Sequence, residues 1–131
     1  MPTRKVLVVE DDDRIRQALI EYLESAASVR VDAARDGADA LHAVSHVRYD
    51  AIILDLMMPH MNGIDFLDSL RIVKPPHERP ACFVVTGMPP EDAPAEAILR
   101  RFSGLVRRVF RKPVDLAELG RSVEEVWAGE R

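Results

Sequence analysis

Acidic residues stand in two places where they could act together: Glu10-Asp11-Asp12-Asp13 and Asp55, each directly after a short apolar run. A hydroxyl beside a small residue, Thr86-Gly87, and an amine before a proline, Lys112-Pro113, follow two later apolar runs. Brought to one edge, the acids would repel one another and resist ionisation unless a cation lay among them. A few carboxylates, with room for water and a phosphate, suit Mg2+ better than Ca2+. A hydroxyl donor, an ammonium and a divalent cation around one carboxylate would give three phosphoryl oxygens three distinct partners. Asp55 then has the setting of a nucleophile that forms an aspartyl phosphate. A plainer role for Asp11 to Asp13 is to cap the helix that follows and favour its positive dipole end, and Asp12 or Asp13 is expected to do so. Glu10 and Asp11 sit at the end of the apolar run, where capping accounts for them less well.

The elements that must position these residues alternate between two patterns. Val6-Leu7-Val8-Val9, Ala51-Ile52-Ile53-Leu54 and Cys82-Phe83-Val84-Val85 are unbroken apolar runs, as in parallel strands buried on both faces. Val29-Arg30-Val31 and Leu105 to Phe110 carry charges and suit sheet edges. Between them, apolar residues recur at helical spacing: Ile15, Leu19, Tyr22 or Leu23, and Ala26; Ala40, Leu41 and Val44 behind a cap at Asp36; Ile64, Leu67 and Leu70. Glu91 to Phe102 predicts a poorer helix, interrupted early by Pro94. A last helix begins at Asp115, with Glu118 as the expected capping-box partner. Five strand–helix units with right-handed crossovers predict an α/β three-layer doubly wound sandwich. Ligands of such sheets bind beyond the carboxyl ends of the strands, where the strand order reverses. Those ends are where the acids, the hydroxyl and the lysine stand.

Composition narrows the classes further. A chain of 131 residues predicts one domain, 1–131, with no output domain. A hydrophobic content of 47% is too high for intrinsic disorder. A net charge of -4 argues against direct nucleic-acid binding unless a local basic patch exists. The single cysteine, Cys82, excludes an internal disulfide and fits a reducing, cytoplasmic setting. No apolar run is long enough to cross a bilayer.

Together these motifs resemble the response-regulator receiver domains of two-component signalling, over essentially the whole chain. Val8-Val9-Glu10-Asp11-Asp12 resembles the family's acidic pair, and Asp55-Leu56-Met57-Met58-Pro59 with Asn62-Gly63 its phosphorylated aspartate. Thr86-Gly87 and Lys112-Pro113 resemble its hydroxyl and Lys-Pro motifs. The resemblance implies a (βα)5 flavodoxin-like fold with strand order 2-1-3-4-5. It implies that Asp55 accepts a phosphoryl group from a sensor histidine kinase or phosphotransfer protein. Asp11, Asp55 and the Met57 carbonyl would bind Mg2+ directly, with Glu10 acting through water, while Thr86 and Lys112 hold phosphoryl oxygens. The Lys112–Pro113 bond is expected to be cis, and the output is expected to be an altered contact with a downstream protein. The rival readings are a degenerate receiver that binds partners without phosphorylation and an aspartyl-phosphate phosphohydrolase. Met57 stands where the hydrolase would carry its second acid.

Departures from the family pattern carry expectations of their own. The family's aromatic three residues before the lysine is replaced by Val109, with Phe110 beside it. Adjacent strand residues face opposite sides, so Phe110 is expected to be core, with signalling through the loop after Thr86. That loop, Met88 to Pro94, is Pro-rich, longer than the family's, and expected to be mobile or unusually shaped. Met57 and Met88 cannot orient an attacking water, so slow self-dephosphorylation is expected. Arg100, Arg101, Arg107, Arg108 and Arg111 read first as a solvated face. The alternative is a partner or homodimer surface on the fourth helix, fifth strand and fifth helix. His42 and His46 have metal-clamp spacing but lack a third ligand.

Overall fold

The computed structural model describes residues 3–128. Five strands alternate with five helices: β1 (Lys5–Val9), α1 (Asp13–Ala26), β2 (Arg30–Ala34), α2 (Gly37–His46), β3 (Ala51–Asp55), α3 (Gly63–Val73), β4 (Ala81–Thr86), α4 (Ala95–Arg101), β5 (Val106–Arg111) and α5 (Leu116–Ala128). All pairings are parallel, in the order β2-β1-β3-β4-β5. The fully apolar runs therefore became the three central strands and the charged ones the edges, as their composition predicts.

Strand alternation divides the core into two layers. Leu7, Val9, Ile52, Leu54, Cys82 and Val84 face α2, α3 and α4, where Phe66, Leu67, Leu70 and Phe102 meet them. Val6, Val8, Ile53, Phe83 and Val85 face the other way, against Leu19 and Leu23 of α1 and Leu119 and Val123 of α5. Each large side chain buried in this way contributes roughly 1.5–3 kcal/mol relative to exposure.

Helix starts follow the polar residues that cap them. The side chains of Asp12, Asp36 and Asn62 accept hydrogen bonds from the N–H groups of Ile15, Asp39 and Asp65. Asp115 accepts from Glu118 N–H at 3.0 Å, but the Glu118 carboxylate turns to Arg108 instead of closing a capping box. The fourth helix is shorter than its pattern suggests. It starts at Ala95, because Pro94 occupies the cap position and offers no side-chain acceptor. The preceding residues instead form a turn in which the Pro89 carbonyl accepts from Asp92 and Ala93 N–H. No described helix is long and apolar enough to cross a membrane.

Candidate functional site

Order reverses at β1, with β2 on one side and β3 on the other, and the site forms at the carboxyl ends of β1, β3, β4 and β5. Glu10 follows β1, Asp55 ends β3, Thr86 ends β4 and Lys112 follows β5. Glu10, Asp55 and Thr86 are buried, whereas Asp11 is exposed at the mouth. One carboxylate oxygen from each of Glu10, Asp11 and Asp55 lies within 4.8 Å of the others. Lys112 Nζ donates to Glu10 Oε1 and to Asp55 Oδ2, both at 2.9 Å. Thus residues separated by up to 102 positions share one rim.

Electrostatics at this rim are strained first by burial and, to a lesser degree, by like charge. Burial pushes the Glu10 carboxyl up from 4.5 to about 7, and the nearby Asp55 charge adds to this. The Lys112 bond and the Asp12 N–H oppose it. Burial also pulls the Lys112 ammonium down, but its bonds to Glu10 and Asp55 outweigh that and leave it above its ordinary value. The lysine neutralises part of the acid charge, and the clustered oxygens form a donor set suited to a small hard cation. Such an ion would fit among Glu10, Asp11 and Asp55.

The backbone holds these groups in place. Met57 N–H donates to Asp55 Oδ1 at 3.1 Å, and Asp12 N–H to Glu10 Oε2 at 3.2 Å. Arg16 Nη1 donates to the Glu10 carbonyl at 2.9 Å, tying α1 to the acidic turn. Gly63 N–H bonds the Leu56 carbonyl at 3.0 Å, and a Cβ at Gly63 would lie 2.7 Å from the Asp55 carbonyl oxygen. Only glycine lets α3 approach the end of β3 so closely. Gly87 is different, since a Cβ there would meet only the Lys112 stem, at 3.7 Å. The Lys112–Pro113 bond is cis, as expected. Beside the acids, a cavity of about 510 Å³ is lined by Asp11, Met57, Met88, Ile64 and Ile98 among others. The two methionines expected to flank the reacting atoms do line this space, and Met57 is 58% exposed.

Phe110 lies in the α1/α5 core layer and Val109 packs in the opposite one, as the alternation requires. A register shift between Cys82 and Phe83 does displace β5, but it leaves Phe110 facing away from α4. Arg100, Arg101, Arg107 and Arg108 are exposed, as the charge pattern suggests, yet part of the run is also tied to neighbouring elements. Arg101 pairs with Asp68 at 2.6 Å, Arg108 reaches Ser122 and Glu118, and Arg111 binds two loop carbonyls. Arg16 and Arg111 went unnoticed as positioning groups, since a lone arginine in a sequence does not announce a carbonyl partner. His42 and His46 stack with ring centroids 4.4 Å apart, and the described residues offer no third metal ligand beside them.

Comparisons with known proteins bear on the family and the fold. Residues 6–124 match the family described as the response regulator receiver domain. The chain is 41% identical over 71 residues to the response regulator MprA of Mycobacterium sp. (strain KMS), covering 54% of this chain and 30% of that protein. It is 42% identical over 67 residues to the transcriptional regulatory protein ResD of Bacillus subtilis (strain 168), covering 51% and 28%. The match thus spans about a third or less of these relatives' length. Among solved structures, the receiver domain of Francisella response regulator 1452 superposes with a TM-score of 0.82 at 25% identity, covering 98% of this chain and 100% of that one. A response regulator receiver domain from Methylobacillus flagellatus gives 0.79 at 29% identity, covering 95% and 99%. A family match over residues 6–124 and a shared fold have one explanation: the chain belongs to the response regulator receiver domain family.

Proposed function

We propose that this receiver is a phospho-acceptor switch, with Asp55 as the acceptor. A sensor histidine kinase or phosphotransfer protein presents a phosphohistidine at the exposed mouth of the site. An Asp55 carboxylate oxygen attacks phosphorus, the P–N bond breaks, and an aspartyl phosphate results. Lys112, already bonded to Asp55, follows the charge onto a phosphoryl oxygen, and the Thr86 hydroxyl donates to another. Asp11, Asp55 and the Met57 carbonyl would hold Mg2+, with Glu10 acting through water. When bound, the ion offsets the repulsion among the acids and the incoming phosphoryl group.

The observation that carries this reading is the convergence of Glu10, Asp11, Asp55 and Lys112 within hydrogen-bonding or metal-sharing distance at one strand edge. It supports a phosphorylatable receiver over a degenerate one, because three acids gathered around one lysine leave negative charge that a bound cation would offset. Methionines at 57 and 88 line the approach, so the phosphoryl group is lost slowly unless a partner removes it. The phosphorylated form acts through altered contact with a downstream protein. The α4, β5 and α5 face, with Arg100 and Arg107 exposed, suits that partner or a second copy, not nucleic acid. Incubation with a small-molecule acyl phosphate and Mg2+ should add the mass of one phosphoryl group. Asp55→Asn should abolish the gain, and a gain that survives it contradicts the proposal.

A further inference from the structure

The usual aromatic reporter is missing from the strand that leads to Lys112, yet the loop beside the site is tied to that strand by a different residue. Arg111 lies on the same side of β5 as Val109 and pairs in register with Thr86. Its guanidinium reaches across to the β4–α4 loop, where Nη1 donates to the Met88 carbonyl at 3.0 Å and Nη2 to the Ala93 carbonyl at 2.6 Å. These two carbonyls bracket the Pro-rich turn directly before α4. The other side of the Met88 residue is held by the site itself, since its N–H donates to Thr86 Oγ1 at 3.0 Å. Met88 is therefore gripped at its nitrogen by Thr86 and at its oxygen by Arg111.

We propose that Arg111 is a positioning residue that latches the β4–α4 loop in its resting place and opposes the movement of Thr86 toward a phosphoryl group. The inference rests on the phospho-acceptor reading above. If Thr86 shifts to donate to a phosphoryl oxygen, it draws the Met88 N–H with it. The Met88 carbonyl, fixed to β5 through Arg111, resists. Charge-assisted bonds from a planar fork to two carbonyls are stronger than neutral ones, and the fork holds both carbonyls at fixed positions, which the point-like ammonium of a flexible lysine does less firmly. Opening the latch frees the Met88–Ala93 turn, and with it the start of α4, for a partner. The device does the work of the missing aromatic from the same side of the same strand.

Because the latch stabilises only the resting arrangement, its loss must favour the phosphoryl-bound one. A merely structural lesion would weaken binding, so the sign is diagnostic. The probe is beryllofluoride with excess Mg2+, titrated into the wild-type chain, Arg111→Lys and Arg111→Ala. Fluorine NMR reads the bound analogue, and amide NMR reads Met88 and Ala93. The apparent affinity of Arg111→Ala should rise by about three- to tenfold, with Arg111→Lys in between. In wild type the Met88 and Ala93 amides should shift on binding. In Arg111→Ala they should already lie near the bound positions before any probe is added. A folded Arg111→Ala that binds equally or more weakly, or whose loop amides move as in wild type, overturns the latch alone. If the wild-type chain gives no bound fluorine signal that Asp55→Asn abolishes, the phospho-acceptor reading fails and the latch goes with it.

Discussion

Burial holds Glu10 near 7 while its unfolded value is 4.5, so between these values the folded chain carries more protons than the unfolded one. Stability from this group is therefore fully present below 4.5 and is lost as pH rises through 7. In the absence of divalent cations, urea unfolding should show stability falling across that window, by about 1–3 kcal/mol. Glu10→Gln should flatten the fall. Mg2+ favours the ionised acids and should flatten it too, by stabilising the folded chain at pH 7 and above. A Glu10→Gln profile parallel to wild type would contradict the assignment. That Glu10 and Asp11 do more than cap a helix was legible in the sequence, because they stand at the end of a strand while Asp12 or Asp13 remains to cap; the structure makes Asp12 the cap. The magnitude of the strain was not legible, since it depends on how deeply Glu10 is buried beside Lys112.

Among the elements, α3 bears most directly on the acceptor, because its first residue sits against the carbonyl of Asp55. Gly63→Ala would place a Cβ 2.7 Å from that oxygen and 2.8 Å from Leu56 Cα, both backbone atoms with little room to give. The helix must move off β3, costing about 1–3 kcal/mol and displacing Asp55 and the Met57 carbonyl together. Urea denaturation should show the loss of stability and acyl-phosphate labelling should slow; unchanged values for both would show that the contact does not position the site. Periodicity and caps located nearly every element. The exception is α4, where Glu91 to Pro94 satisfy a helical pattern on paper but Pro94 becomes the cap position and the helix waits until Ala95. The β5 register shift was equally hidden, because Arg107 and Arg108 read alike in a sequence while Arg108 pairs with Phe83 and bonds Ser122 of α5 and the shift passes over Arg107.

At the scale of the whole molecule, three strands from distant parts of the chain, β1, β3 and β5, bring three acids and an amine to one edge. Which strands are central was legible because buried parallel strands must be apolar on both faces, and only three runs in the sequence are; the order itself came from the family resemblance. The site followed from asking what stands directly after each strand. Long-range arginine contacts did not follow, because Arg101 reaches back 33 residues and Arg111 reaches 18, distances that only the folded sheet closes. Central to the account is that Asp55, and no neighbouring acid, is where that edge does its chemistry. Borohydride reduction of the acyl-phosphate-treated chain, followed by peptide mapping, tests this directly, since an acyl phosphate is reduced where a free carboxylate is not. The account predicts a reduced residue at position 55, formed only when Mg2+ is present. Reduction at Asp11 or Glu10, or labelling that proceeds equally without the metal, would contradict it.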